Sequence, residues 1–223
     1  MARLVERVRP EAWSEHLAFV RAGGIEIGHL AAPPRTTATA EDAAANIARA
    51  ARAVGTMPCV ENIATLIEPP ASVIDEAQWT RAIVEAAGTT MLLDLHNLYA
   101  NALNFGRAPL GLLRGMPLER VSMVHLSGGR WIAPHGGAPR LLDDHRHDVP
   151  GAVYSLLEAL AFAVPQALTV IVERDGDFPA FSALLEQMER ARAALARGRA
   201  ARLGRGASDG VIADVAMTVA EEA

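Results

Sequence analysis

Five short apolar runs, each ending on or beside a histidine or a carboxylate, constrain this chain more than any other feature. They are Ala12–Val20 (AWSEHLAFV), Met57–Asn62 (MPCVEN), Thr90–Asn97 (TMLLDLHN), Val121–Ser127 (VSMVHLS) and Leu168–Glu173 (LTVIVE). Each is too short for a helix and rich in Val, Ile and Leu, as a strand buried on both faces would be. Helical patterns lie between them. Ala40–Val54 is alanine-rich, with Glu41 and Asp42 in its expected first turn, where acidic groups suit the helix dipole. Asp75–Ala87 opens on an aspartate cap and closes at Gly88. Val149–Ala163 and Pro179–Leu195 complete the series, the second with proline near its start.

Strands alternating with helices imply a parallel α/β sheet. His16, Glu61, Asp94, His125 and Glu173 then fall at or near the carboxyl ends of successive strands. In a (β/α) barrel that is the face where active sites are built. A doubly wound open sheet would gather its polar residues at one switch point and carry a phosphate loop. Neither G-x-G-x-x-G nor a Walker motif occurs in the sequence, so the expected fold class is an α/β barrel.

The totals narrow the function. At 223 residues, 51% of them hydrophobic, the chain can bury a sizeable core. A formal charge of −5 disfavours a nucleic-acid-binding surface. The single cysteine, Cys59, cannot form an internal disulfide and points to a reducing cytoplasm; in its apolar run it reads as a buried strand residue. No run reaches the roughly 18 apolar residues of a membrane span, and MARLVERVRPEAW lacks the apolar core of a signal peptide. After Leu195 the sequence ARGRAARLGRGASDG reads as a low-complexity, disordered tail over 196–223.

The stretch Arg140–Asp148, RLLDDHRHD, adds Asp143 and His145 to the strand-end set. A lone histidine at a strand end is usually a hydrogen-bonded core residue, and a lone glutamate usually pairs with arginine. Five strands ending this way are harder to explain as core filling, because buried charges are costly unless paired or metal-bound. Mixed imidazole and carboxylate ligands suit iron, manganese or zinc better than calcium or magnesium, and bridging carboxylates allow two metals close together. Asp94 and His96, two apart on the expected strand, would point to one side. His29, before a proline turn, reads as structural or as a substrate contact. His135 reads as exposed loop, and His147 as a supporting residue behind the ligands.

SEHLAF at 14–19, VEN at 60–62, LLDLHNLYANALNFG at 92–106, VHLSGG at 124–129, D-x-H at 143–145 and VERD at 172–175 occur in that order. Together they resemble the multinuclear non-heme iron-dependent oxidative enzymes (domain of unknown function 692, methanobactin-synthesising oxidase type). The resemblance covers about residues 3–190. It implies a xylose-isomerase-type TIM barrel holding two or three irons, mixed Fe(II) and Fe(III), with O2 as co-substrate. It also implies oxidation of cysteine, or another residue, in a ribosomally made precursor peptide, often with a small partner protein that presents the peptide. No nucleic acid or membrane is implied. Carried over position by position, the ligands fall on His16, Glu61, Asp94, Asn97, His125, Asp143, His145 and Glu173.

Two departures from the family pattern stand out. The family usually has Asn where this chain has His96. It also has about three further strand–helix units, with a metal-binding histidine, before the SEH motif. The expectation is therefore an incomplete (β/α)8 barrel of about five units. The chain would be a frame begun inside the fold, or one completed by another polypeptide, with a two-metal remnant held mainly by Asp94, His125, Asp143, His145 and Glu173. Within the barrel superfamily the alternatives are a sugar isomerase, weakened because all 21 basic residues are arginine, and a metal-dependent endonuclease, disfavoured by the acidic balance. A metal-free peptide-binding scaffold is the non-enzyme alternative.

Overall fold

Each of the five apolar runs contributes one strand to a single parallel sheet. A computed structural model describes residues 1–133 and 137–204. In chain order its first elements are α1 (Ala2–Val8), β1 (Ser14–His16), β2 (Phe19–Ala22), β3 (Ile25–Ala31), α2 (Thr37–Val54), β4 (Cys59–Glu61) and α3 (Glu76–Ala87). Next come β5 (Met91–Asp94), α4 (Leu95–Asn104), α5 (Pro109–Gly115), β6 (Val121–Leu126), β7 (Gly129–Ile132) and β8 (Arg140–Asp143). Helix α6 (Gly151–Ala163), β9 (Thr169–Val172) and α7 (Phe181–Gly204) complete the fold. The sheet runs β1-β4-β5-β6-β9, all parallel, while β2-β3 and β7-β8 form separate antiparallel hairpins. With β1 at one edge and β9 at the other, this is an incomplete TIM-barrel-like fold.

Local chemistry explains where the helices begin. Asp75 caps α3, accepting from the Gln78 backbone amide while Gln78 reaches back to Asp75, and left-handed Gly88 ends the helix, as expected. Helix α2 starts earlier than the alanine run suggests. Thr36 and Thr39 form its capping box, so Glu41 and Asp42 fall beyond the first turn. Helix α4 was not expected from the sequence. Strand β5 stops at Asp94, whose side chain accepts from the Asn97 amide and turns the chain straight into a helix. His96 therefore sits on the first turn of α4, and Asp94 and His96 do not share a strand face.

The main core packs Met91, Leu93, Val124 and Leu126 of the sheet against Leu95 and Leu98 of α4 and Leu156, Leu157 and Leu160 of α6. Burial of each such side chain contributes about 1.5–3 kcal/mol. Cys59 is buried in β4 as expected, its Sγ 3.1 Å from Thr90 Oγ1. Helix α7 continues past Leu195 to Gly204, so residues 196–204 of the expected tail are helical. The rest of that tail, and His135, lie outside the described residues. Close packing requires Gly198: a Cβ there would meet Glu158 O of α6 at 2.3 Å. Among the described residues no helix is long and apolar enough to cross a membrane.

Candidate metal centre

Parallel pairing aligns the strand ends, so sheet register alone assembles most of the site. His16 lies opposite Glu61, and Asp94 lies opposite His125. Glu173 follows β9 directly and donates its backbone amide to Leu126 O. All five residues collect at the carboxyl edge of the sheet.

Their side chains form a continuous series. His16 Nε2 is 3.5 Å from Glu61 Oε2, and Glu61 Oε1 is 3.1 Å from His125 Nδ1. His125 Nδ1 is also 2.9 Å from Glu173 Oε2. That oxygen is 3.6 Å from His145 Nδ1, whose Nε2 lies 2.7 Å from Asp143 Oδ2. Asp143 Oδ1 meets His96 Nδ1 at 2.7 Å and accepts from Ser127 Oγ at 3.2 Å. An ionised carboxylate only accepts, so His96 donates through Nδ1. Among the described residues two sets of ligand atoms lie close enough to hold an ion each: Glu61, Asp94, His125 and Glu173 form one, and His145, Glu173 and Asp175 the other.

Backbone devices fix these groups. Asn62 clamps the Asp94 backbone from both sides, its Nδ2 donating to Asp94 O and its Oδ1 accepting from Asp94 N, each at 2.9 Å. Asn97 Nδ2 donates to Asn62 O. His145 adopts a left-handed backbone, φ 52°, and its carbonyl accepts from the Asp175 amide. Arg146 pairs with Asp177 and Arg174 with Asp148, stitching the loop after β8 to the loop after β9. Gly128 and Gly129 admit this loop and hairpin: a Cβ would lie 2.4 Å from His147 O at Gly128 and 2.1 Å from Leu142 O at Gly129.

The electrostatics match the geometry. Asp94 is 0% and Glu61 3% exposed. Burial, reinforced by neighbouring Asp143 and Glu61, pushes Asp94 well above the usual carboxylate range. Burial works against the charged forms of His125 and His145, yet the facing carboxylates outweigh it. Glu173 and Glu61 hold His125 up at about 10, and Asp143 chiefly holds His145 at about 9. Burial would raise Asp143, but His145 and His96 bring it down to about 2. Contact with His125 lowers Glu173. Two imidazolium protons thus neutralise a pocket of carboxylates, the position a metal cation can take over.

Unspent valence supports that fit. Asp94 Oδ2 and Asn97 Oδ1 are buried without a hydrogen-bond partner. Left so, such atoms cost stability; as ligands they do not.

Of the residues singled out from sequence, Glu61, Asp94, His125, His145 and Glu173 fall within the two close sets. His16 sits at the rim beside Glu61, Asp143 beside His145, and Asn97 beside Asp94 with its Oδ1 free of hydrogen bonds. His147 is exposed, pairs with Asp144 at 2.9 Å and belongs to neither ligand set. His29 is exposed on β3 and lines a groove leading to the site. Asp175 was not anticipated as part of the set. Its signal was the E-x-D spacing in VERD, and contact with the His145 loop brings it in.

Known proteins place the chain in a family. A UPF0276 protein of Bordetella bronchiseptica is 37% identical over 200 residues, spanning 89% of this chain and 68% of the relative. A UPF0276 protein of Caulobacter vibrioides is 34% identical over 203 residues, 91% of this chain and 71% of the relative. A third, from Streptomyces avermitilis, is 35% identical over 186 residues, 80% of this chain and 37% of the relative. Residues 1–196 match the family described as RiPP precursor modification enzyme MbnB/TglH/ChrH. This chain belongs to that family of enzymes that modify ribosomally made precursor peptides.

Proposed function

We propose that the protein oxidises a cysteine, or another residue, in a precursor peptide, using O2 and at least two irons held at the strand ends. The observation that carries this reading is Glu173, whose single oxygen Oε2 faces both His125 and His145. A carboxylate placed between two ligand sets would serve ions in both, as a multinuclear centre can use. Glu61, Asp94, His125 and Glu173 would hold one ion; His145, Glu173 and Asp175 would hold the second. His16 beside Glu61, Asn97 beside Asp94 and Asp143 beside His145 would be further ligands.

Bound iron would supply the one-electron and O2 chemistry that side chains lack. The chain's own residues fix the geometry and keep water from the buried side, where Asp94 is sealed beneath Asn62 and α4. His125 and His145 would have to give up their protons to act as ligands. A soft substrate thiolate joining an otherwise nitrogen and oxygen set favours iron over magnesium. Asp144 pairs with His147 and Arg130 and belongs to neither ligand set. A small peptide-presenting partner protein and a cytoplasmic site of action belong to the same reading.

The test is incubation of iron-loaded protein with a pool of cysteine-containing peptides under O2, followed by mass spectrometry. A mass change confined to the cysteine, requiring both iron and O2 and lost in Asp94→Asn, is expected. Unchanged peptides across the pool, or modification without iron, would refute the oxidase.

A further inference from the structure

A groove of about 400 Å³ leads away from the candidate centre, within the about 300–1,000 Å³ typical of ligand pockets. Asn97, Asp143 and His145 form its inner end. Its walls come from three separate segments: Ile27 on β3, Ile63 and Ile67 in the loop after β4, and Leu142 on β8. Among the described lining residues, the only ionisable group besides His16, Asp143 and His145 is His29. Ile67 is 69% exposed and Ile27 45% exposed, so apolar surface stands in solvent where the groove opens.

We infer that this groove selects the residues flanking the modified one, binding an extended segment of precursor peptide whose side chains there are apolar and uncharged. The inference rests on reading the centre as peptide-modifying, and it names the specificity of that site. Continuity is the main argument: a residue presented to Asp143 and His145 leaves its chain neighbours lying along the apolar walls. Charge supplies the second argument. An acidic neighbour lying along the walls would lose hydration against Ile27, Ile63 and Ile67, with no arginine among the lining residues to receive it. A basic neighbour would lose hydration against Ile27 and Ile67 without gaining a carboxylate partner there. An apolar neighbour covers surface that otherwise stays wet.

The test uses fluorescein-labelled hexapeptides carrying serine in place of cysteine, with either leucines or aspartates on both sides of the serine. Anisotropy is followed on the full chain, with and without ferrous iron, in the absence of O2. The leucine peptide is expected to bind about tenfold or more tightly than the aspartate peptide. Ile67→Asp, at an exposed position, should remove that advantage while leaving the circular dichroism spectrum and iron content unchanged. Equal affinities, no binding of either peptide, or leucine-peptide binding indifferent to Ile67→Asp would each overturn the inference. Because these peptides cannot be oxidised at sulfur, the outcome is independent of the oxidase test. A failed oxidation with selective binding would sink the chemistry alone, and oxidation without selectivity would sink the groove alone.

Discussion

Glu173 Oε2 lies 2.9 Å from Nδ1 of His125, joining the loop after β9 to β6. The same oxygen is 3.6 Å from Nδ1 of His145, on the loop after β8. One carboxylate oxygen therefore couples two otherwise separate ligand groups. Asp175, two residues on, reaches only the second group, with its Oδ2 3.4 Å from His145 Nδ1.

This asymmetry separates the two acids by mutation. Glu173→Ala is expected to lower iron retained at both positions, and Asp175→Ala to remove about one ion per chain. Metal analysis after desalting checks it. Equal losses in the two variants would contradict a bridging Glu173.

Metal affinity should rise with pH. In the metal-free protein His125 and His145 keep their protons up to about 10 and about 9, above the ordinary 6.5. Ions must displace those protons, so chelator competition should report tighter iron binding at pH 8.5 than at 6.5. Stability of the metal-free chain runs the other way. These raised values give a contribution fully present below about 6.5 and lost as pH rises through 9 and 10. Asp143, held at about 2, contributes stability above the ordinary 3.8 that is lost as pH falls through 2. Denaturant midpoints of metal-free protein should therefore drop between pH 6.5 and 10. A flat profile would argue against the paired imidazolium arrangement.

His96 is fully buried, and its Nδ1 holds Asp143 Oδ1. His96→Leu would leave Asp143 with Ser127 and His145 alone. An expected cost of about 1–3 kcal/mol in stability should accompany a roughly 10–100-fold loss of iron affinity. His96→Asn, which keeps a donor, should lose less affinity. Urea unfolding and iron titration of both variants measure the pair of effects; leucine and asparagine behaving alike would remove the positioning role.

Gly198→Ala tests packing far from the metals. A Cβ 2.3 Å from Glu158 O and 2.8 Å from Ala161 Cβ must push α6 and α7 apart. Overpacking of this kind costs about 1–3 kcal/mol, or about 2–4 °C of Tm per kcal/mol in a chain this size. Calorimetry should show the drop with iron content unchanged. An unaltered Tm would mean the helices part freely.

Strands β4 and β5 were legible in the sequence because fully buried parallel strands are uninterrupted apolar runs. Strands β1 and β9, at the sheet edges, are exposed or half-buried instead of buried on both faces, and only the His16 or Glu173 that ends each run marked them. Asp94 also misled the reading. It ends a strand and caps a helix at once, so the D-x-H spacing to His96 looked like strand alternation although the turn intervenes. The hairpins β2-β3 and β7-β8 carry no clear alternation; β3 is exposed over most of its length, leaving no buried face to mark it. The contact between His96 and Asp143 spans 47 positions and depends on how β8 crosses α4, which local spacing cannot encode. Asp175 enters the site through a loop contact of the same non-local kind.

Bound iron per chain, measured after anaerobic loading with ferrous iron and removal of free metal, tests the central claim most directly. Two or more irons per folded chain is the result expected of two ligand sets sharing Glu173. A folded chain that retains no iron, or retains it equally well when His125 and Glu173 are both changed to alanine, would contradict the account.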